Sequence, residues 1–209
     1  MIKKREIENR IFVLEFDNQK EMASTFLRFQ EHYESPKFAK KIFTHKEFKE
    51  WYKKENEGKF TYHTDWRGFN IPSYILKKFY QGKFNPLTKN EKKLLSLFKE
   101  HKGEFYIVAH KGNPSGKSLI LKHEIAHGLF YTNKNYRREI MKIIKKYDLR
   151  KLRNGLLSLG DYNKNILDDE IQAYSISLSH TLRNEFPHEF PDEMKKEIRK
   201  AFHKYTGRD

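Results

Sequence analysis

The sequence predicts a mainly helical α+β fold with a small sheet, and three observations support this class. Two short runs rich in β-branched and aromatic residues, at 11–16 and 104–110, are typical of strands. Most of the remaining chain has apolar residues at helical spacing. The 209 residues, of which 37% are hydrophobic, suffice for one compact domain, or for one domain with a substantial extension.

Helices account for most of the predicted structure, because apolar residues recur every three or four positions and so share one helix face. Two helices are predicted to begin with a capping box. In this motif a threonine and a glutamate three residues later each accept a hydrogen bond from the other's backbone N–H. The two boxes are Thr44 with Glu47 and Thr88 with Glu91. The other predicted helices cover residues 18–32, 73–80, 118–132, 137–147, 149–159, 167–182 and 192–205.

Glycine and proline residues mark the predicted connections. Residues 58–72 contain two glycines and a proline, and we interpret them as an aromatic-rich connection. Gly103 separates a helix from the strand at 104–110. We therefore predict a weakly marked division into residues 1–103, which shape a cleft or bind a partner, and residues 104–209. A single domain is the alternative.

The composition excludes several kinds of site. The chain has no cysteine, which rules out disulfides, thiolate zinc sites and cysteine nucleophiles. A metal must therefore be held by His, Asp or Glu. No run approaches the roughly 18 apolar residues of a membrane span. The N-terminal MIKKREIENR also lacks the apolar segment of a secretory signal. We expect a cytoplasmic protein that is not associated with a membrane.

The chain is strongly basic, with 43 Lys and Arg against 28 Asp and Glu and a net charge of +15. Such a charge favours the binding of polyanions, although a lysine-rich proteome produces the same composition without a functional cause. Residues 134–153 carry nine Lys or Arg against two acids. This stretch is either a solvated helix face or a basic wall beside a cleft. Nucleic acid is therefore an alternative partner beside a peptide or protein substrate.

Residues 123–127 read His-Glu-Ile-Ala-His within a helix-forming run. Positions i and i+4 lie on one helix face, so the imidazoles of His123 and His127 can reach one zinc ion. Glu124 is rotated by about 100° and can reach a zinc-bound water without being a ligand. The motif predicts a Zn²⁺ site with Glu124 as general base. The alternative is two surface histidines on an amphipathic helix.

A catalytic zinc needs a third protein ligand, and the helix predicted at 167–182 offers acidic candidates. Glu170 lies at one edge of the apolar face of this helix, so we choose it as the third ligand. Asp169 is predicted to point to the opposite side, and Asp168 suits the N-cap position. Asp168, Asp169 and His180 remain the alternatives.

The motif at 123–127, followed by Glu170-Ile-Gln-Ala-Tyr174, resembles the gluzincin branch of the zincin superfamily. The resemblance covers about residues 104–180. It implies a zinc metallopeptidase in which a strand beside the active-site helix binds substrate in extended form. The run at 104–110 is the strand in the matching place.

Tyr174 and Tyr131 are candidates for stabilising the oxyanion that develops during hydrolysis. We choose Tyr174 as a catalytic residue beside Glu124, and a core tyrosine with a satisfied hydroxyl is the alternative. Two other functions also stay open. One is a basic nucleic-acid-binding or scaffold protein on a zincin-derived fold, and the other is a protease acting on nucleic-acid-associated proteins.

Overall fold

The structure is a computed structural model, which describes residues 2–8, 10–66, 68–112, 119–158, 164, 166–177 and 189–207. These residues form the predicted α+β, mainly helical fold with a four-stranded sheet. The strands are β1 Ile2–Glu8, β2 Ile11–Phe16, β3 Gly68–Pro72 and β4 Tyr106–Lys111. The helices are α1 Gln19–Glu34, α2 His45–Glu55, α3 Tyr62–Asp65, α4 Leu76–Tyr80, α5 Lys89–Phe98, α6 Leu119–Thr132, α7 Lys134–Ile144, α8 Arg150–Ser158, α9 Leu167–Ser177 and α10 Asp192–Thr206.

The chain divides into two compact units. The first comprises Met1–Ile7 and Phe12–Asn113, and the second comprises Glu8–Ile11 and Pro114–Asp209. The division therefore falls after Asn113 instead of near residue 103, because β4 pairs with β3 and belongs to the first unit. Across the described ranges, no helix combines the length and the apolar character needed to cross a membrane.

The sheet of the first unit has the strand order β1-β2-β4-β3. Strands β3 and β4 are antiparallel, with Gly68 opposite His110 and Pro72 opposite Tyr106. The interpretation of residues 58–72 as a connection is therefore wrong for β3. This strand has Gly and Pro at its two ends, which weaken a strand prediction, but Pro is tolerated on an edge strand. Strand β1 was also not predicted, because four of its seven residues are charged and exposed.

Aromatic side chains fill the core of the first unit beneath α1. The apolar face of α1 packs against β3, β4 and α5. Phe29 stacks on Phe79 at 3.8 Å between ring centroids, and Phe79 stacks on Phe84 at 3.9 Å. Both predicted capping boxes are confirmed, since each threonine accepts from the N3 backbone while the N3 glutamate accepts from the N-cap backbone. These caps fix the starts of α2 and α5.

The second unit is a group of packed helices. Helix α6 packs against α9 and α7, and α10 packs against both α7 and α9. The predicted helix at 118–132 is confirmed as α6, and the last predicted helix as α10. The predicted end of the α9 helix at 178–182 lies outside the described residues.

Gly128 marks a close approach within the second unit. A Cβ atom built at Gly128 would lie 2.7 Å from Cδ1 and 2.8 Å from Cγ1 of Ile11. Such distances are far below van der Waals contact, so a side chain at this position would displace Ile11. Glycine next to His127 therefore lets Ile11 pack closely on α6, the helix that carries His123 and His127.

Candidate metal centre

The structure brings the three predicted ligands together. His123 and His127 lie one turn apart on α6, and Glu170 lies in the first turn of α9. One ligand atom from each residue lies within 4.8 Å of the others. The two Nε2 atoms are 3.0 Å apart, and the Glu170 carboxylate oxygens lie 3.9 Å from Nε2 of His123 and 3.8 Å from Nε2 of His127. His127 and Glu170 are buried.

A second residue orients each imidazole through its Nδ1 atom. His127 Nδ1 lies 2.9 Å from Oδ1 of Asp169. His123 Nδ1 lies 3.0 Å from Oγ of Ser177, whose hydroxyl donates to the Ala173 carbonyl. Ser177 therefore accepts from His123, which places the proton on Nδ1. In both rings the Nε2 lone pair is left for a cation, as in the carboxylate–histidine arrangement of metal sites.

Behind Asp169, the hydrogen bonds continue into the core. The Gln172 side-chain amide donates to Asp169 Oδ1 at 3.0 Å. The Tyr136 hydroxyl on α7 donates to Gln172 Oε1 at 2.8 Å. Tyr136 and Gln172 are fully buried, and each of these two side chains has a hydrogen-bond partner in this series. Three helices thus hold the ring of His127 in one orientation.

The charges around the two rings set opposite pKa directions. Burial lowers the pKa of His123 well below its ordinary value, and the positive charge of His127 lowers it further. Burial acts in the same direction on His127, but the carboxylates of Asp169, Glu170 and Glu124 outweigh it and raise the pKa of His127 to about 10. His127 therefore binds a proton more tightly than His123 does.

This geometry and donor set fit a zinc ion. Tetrahedral coordination at the usual Zn–N and Zn–O distances separates neighbouring ligand atoms by about 3.3 Å. The Nε2–Nε2 separation of 3.0 Å is close to this value, whereas the Glu170 oxygens are somewhat farther away, with Oε2 at 3.9 Å from His123 and Oε1 at 3.8 Å from His127. The cluster could therefore hold a metal ion, and two imidazoles with one carboxylate are among the protein ligand sets known from catalytic zinc sites.

The two predicted catalytic side chains lie beside this cluster. Glu124 is half-buried on α6, and its charge is close enough to raise the pKa of His127. The ring of Tyr174 contacts the ring of His123 edge-on, with 4.7 Å between centroids. A pocket of about 180 Å³ opens here, lined by Leu119, Ile120, His123, Tyr174 and Ser177.

The alternative third ligands have other positions. Asp168 forms an ion pair with Arg153 at 2.7 Å. Because α9 begins at Leu167, Asp168 lies inside its first turn and is not the N-cap. Asp169 faces His127, so its predicted opposite orientation is wrong. Helix α9 contacts α6, α7 and α10 and is buried on several sides, so a single apolar face does not describe it. His180 lies outside the described residues.

Sequence reasoning missed the supporting residues Gln172, Tyr136 and Ser177. Gln172 and Ser177 lie on the same helix as Glu170, but their roles depend on contacts with α6 and α7. The Ala-Tyr-Ser-Ile-Ser run showed that α9 carries small polar residues, which could have signalled a buried helix with satisfied hydroxyls.

The basic stretch at 134–153 is partly neutralised. Lys146 pairs with Glu197, Arg150 with Asp148 and Arg153 with Asp168. Exposed Lys134, Arg138 and Lys142 follow one another at four-residue spacing along α7. A nucleic-acid partner for this surface stays a prediction.

Comparisons with protein-family models, with curated proteins and with solved structures found no match to this chain.

The hydrogen bonds behind His127 predict a measurable effect on metal affinity. Asp169→Asn removes the charge that orients the ring, and we expect zinc affinity to fall by about 10- to 100-fold. Tyr136→Phe removes the far end of the chain and should produce a smaller loss. Competition with a chromophoric zinc chelator measures both. Asp148→Asn, in an exposed pair of the same unit, is the control. Equal affinity in all three variants would contradict the assigned role.

Proposed function

We propose that this chain is a zinc-dependent hydrolase, most specifically a metallopeptidase. His123, His127 and Glu170 serve as metal ligands, and Glu124 serves as general base. The convergence of three ligand atoms within 4.8 Å carries the proposal. The orientation of both imidazoles by Asp169 and Ser177 supports it, because a pair of surface histidines would need no such partners.

The residues around the cluster suggest how hydrolysis would proceed. Zinc bound here would polarise a substrate carbonyl and lower the pKa of a water molecule. Glu124 takes the proton from the attacking water and delivers it to the leaving amine. Tyr174, packed on His123, donates a hydrogen bond from its hydroxyl to the developing oxyanion. Asp169 keeps the His127 ring fixed while the charge on the reacting group changes.

The pocket beside the cluster favours an apolar substrate side chain. Leu119 and Ile120 are 40% and 66% exposed and present apolar surface to the pocket. His123 belongs both to this pocket and to the ligand cluster. A peptide bound with its scissile carbonyl at the metal would place a neighbouring apolar side chain against Leu119 and Ile120. This arrangement supports a peptide rather than a polar small molecule as substrate.

Zinc analysis of protein purified without added metal tests the proposal. We expect about one zinc per chain by mass spectrometry, and we expect His127→Ala to lose most of it. His203→Ala, at an exposed position on α10, should keep the metal. Hydrolysis of a quenched fluorescent peptide library should stop with a chelator and return with zinc. Substoichiometric zinc that His127→Ala leaves unchanged would exclude this site.

A further inference from the structure

The first unit contains a pocket that has no role in the proposed hydrolysis. Its volume is about 410 Å³, within the range of small-molecule sites and larger than one phosphate requires. Four of its lining residues are basic: His45 and Lys49 on α2, His63 on α3, and Lys89 at the start of α5. His45 and Lys49 lie one turn apart on the same face of α2. Three helices thus direct basic side chains to one cavity.

Two helix N-termini add to the positive potential at this pocket. His45 is the first residue of α2, and Lys89 is the first residue of α5. The first backbone N–H groups of a helix carry partial positive charge and have no partners within the helix. In each helix the capping box satisfies the N–H of the third residue and leaves those of the first two. Ser24 and Asn90 supply further polar groups to the wall.

None of the described residues that line the pocket is an Asp or a Glu. The carboxylate next to His45 is that of Glu91, at 3.2 Å, but it is fully buried. Both oxygens of Glu91 accept from Arg28, at 2.7 and 2.6 Å. Burial lowers the pKa of His63, and the positive charges of Lys20 and Lys49 lower it further. The ammonium groups of Lys20 and Lys49 thus lie close enough to His63 to interact with it.

One wall of the pocket is apolar. Leu27 and Phe60 line it, and the Lys49 ammonium lies 5.5 Å from the centroid of the Phe60 ring. A site for a hydrated metal cation would not combine two lysines with an aromatic wall. An anion attached to an apolar or aromatic group satisfies both the basic residues and this wall.

We propose that this pocket binds a small molecule in which a phosphate group is attached to an apolar or aromatic moiety. Lys49, Lys89 and His63 hold the phosphate, and Leu27 and Phe60 contact the attached group. The inference does not depend on the metal centre, because every residue in it belongs to the first unit.

Titration calorimetry on the full chain at physiological salt tests this site with three probes: phenyl phosphate, inorganic phosphate and phenol. We expect phenyl phosphate to bind more tightly than inorganic phosphate and phenol to show no binding. The double variant Lys49→Met/Lys89→Met should lower the affinity for phenyl phosphate by about tenfold or more, since each lysine donates a charged hydrogen bond. Both lysines are exposed, so the fold should survive, and thermal melting checks this.

Lys46→Met/Lys92→Met is the matched control, because these exposed lysines lie on the same two helices. This control should bind as the natural sequence does. An equal loss in both double variants would mean diffuse electrostatic attraction and would overturn the site. Equal binding of phenyl phosphate and inorganic phosphate would overturn the role of the apolar wall. No heat with any probe at millimolar concentration would overturn the proposal altogether.

Discussion

Replacing Glu124 by glutamine is expected to lower the rate of peptide hydrolysis by about 100-fold or more while zinc remains bound. The amide keeps the size of the carboxylate but cannot accept the proton of the attacking water. His123, His127 and Glu170 are untouched, so the metal should stay at full occupancy. Initial rates on a quenched fluorescent peptide and zinc content by mass spectrometry measure the two quantities on the same sample.

Glu193→Gln provides the control for this experiment, because Glu193 is an exposed carboxylate in the first turn of α10. Its rate and zinc content should equal those of the natural sequence. Full activity in Glu124→Gln would show that Glu124 is not the base. Loss of zinc together with activity would assign Glu124 to the metal shell instead.

Breaking the buried ion pair of the first unit is expected to cause a large loss of stability. Arg28 binds both carboxylate oxygens of Glu91, and the two side chains are 3% and 0% exposed. Arg28→Met leaves the Glu91 charge buried without its main partner. We expect the free energy of unfolding to fall by about 3–5 kcal/mol. Urea denaturation followed by circular dichroism measures this change.

A second substitution identifies the cause of that loss. Arg28→Met/Glu91→Gln removes the buried charge but keeps a side chain that serves the capping box at Thr88. The double variant should recover part of the lost stability. Lys46→Met, which breaks an exposed pair with Glu50, should change stability by less than about 1 kcal/mol. A double variant as unstable as Arg28→Met would show that lost packing, not charge burial, is responsible.

The ion pair of Arg28 and Glu91 also makes the stability of the first unit depend on pH under acidic conditions. Burial by itself would raise the pKa of Glu91, but hydrogen bonds from His45, Arg28 and the Thr88 backbone lower it from 4.5 to about 2. The pKa in the folded state is therefore below that of the unfolded chain. The stabilisation is present above about pH 4.5 and is lost as the pH falls towards 2. Glu91→Gln should flatten the stability curve over this interval.

Sequence spacing predicted the parts of the site that one helix determines by itself. The i, i+4 relation of His123 and His127 follows from helix geometry alone, and so do the capping boxes. The position of Asp169 depends on how α9 is buried between other helices, which a helical wheel does not contain. Strand β3 likewise depends on its pairing with the distant strand β4. Local geometry is thus readable from the sequence, whereas contacts between elements have to be observed.

The packing of Ile11 on Gly128 has a consequence for dissecting this chain into fragments. A fragment that begins at residue 114 would retain all three proposed metal ligands but would lack Glu8–Ile11, which belong to the same unit. In this fragment the surface of α6 at Gly128, immediately after His127, would lose its contact with the Ile11 side chain. If such a fragment binds zinc weakly, the cause would therefore be the loss of residues 8–11 and not an incorrect assignment of the ligands.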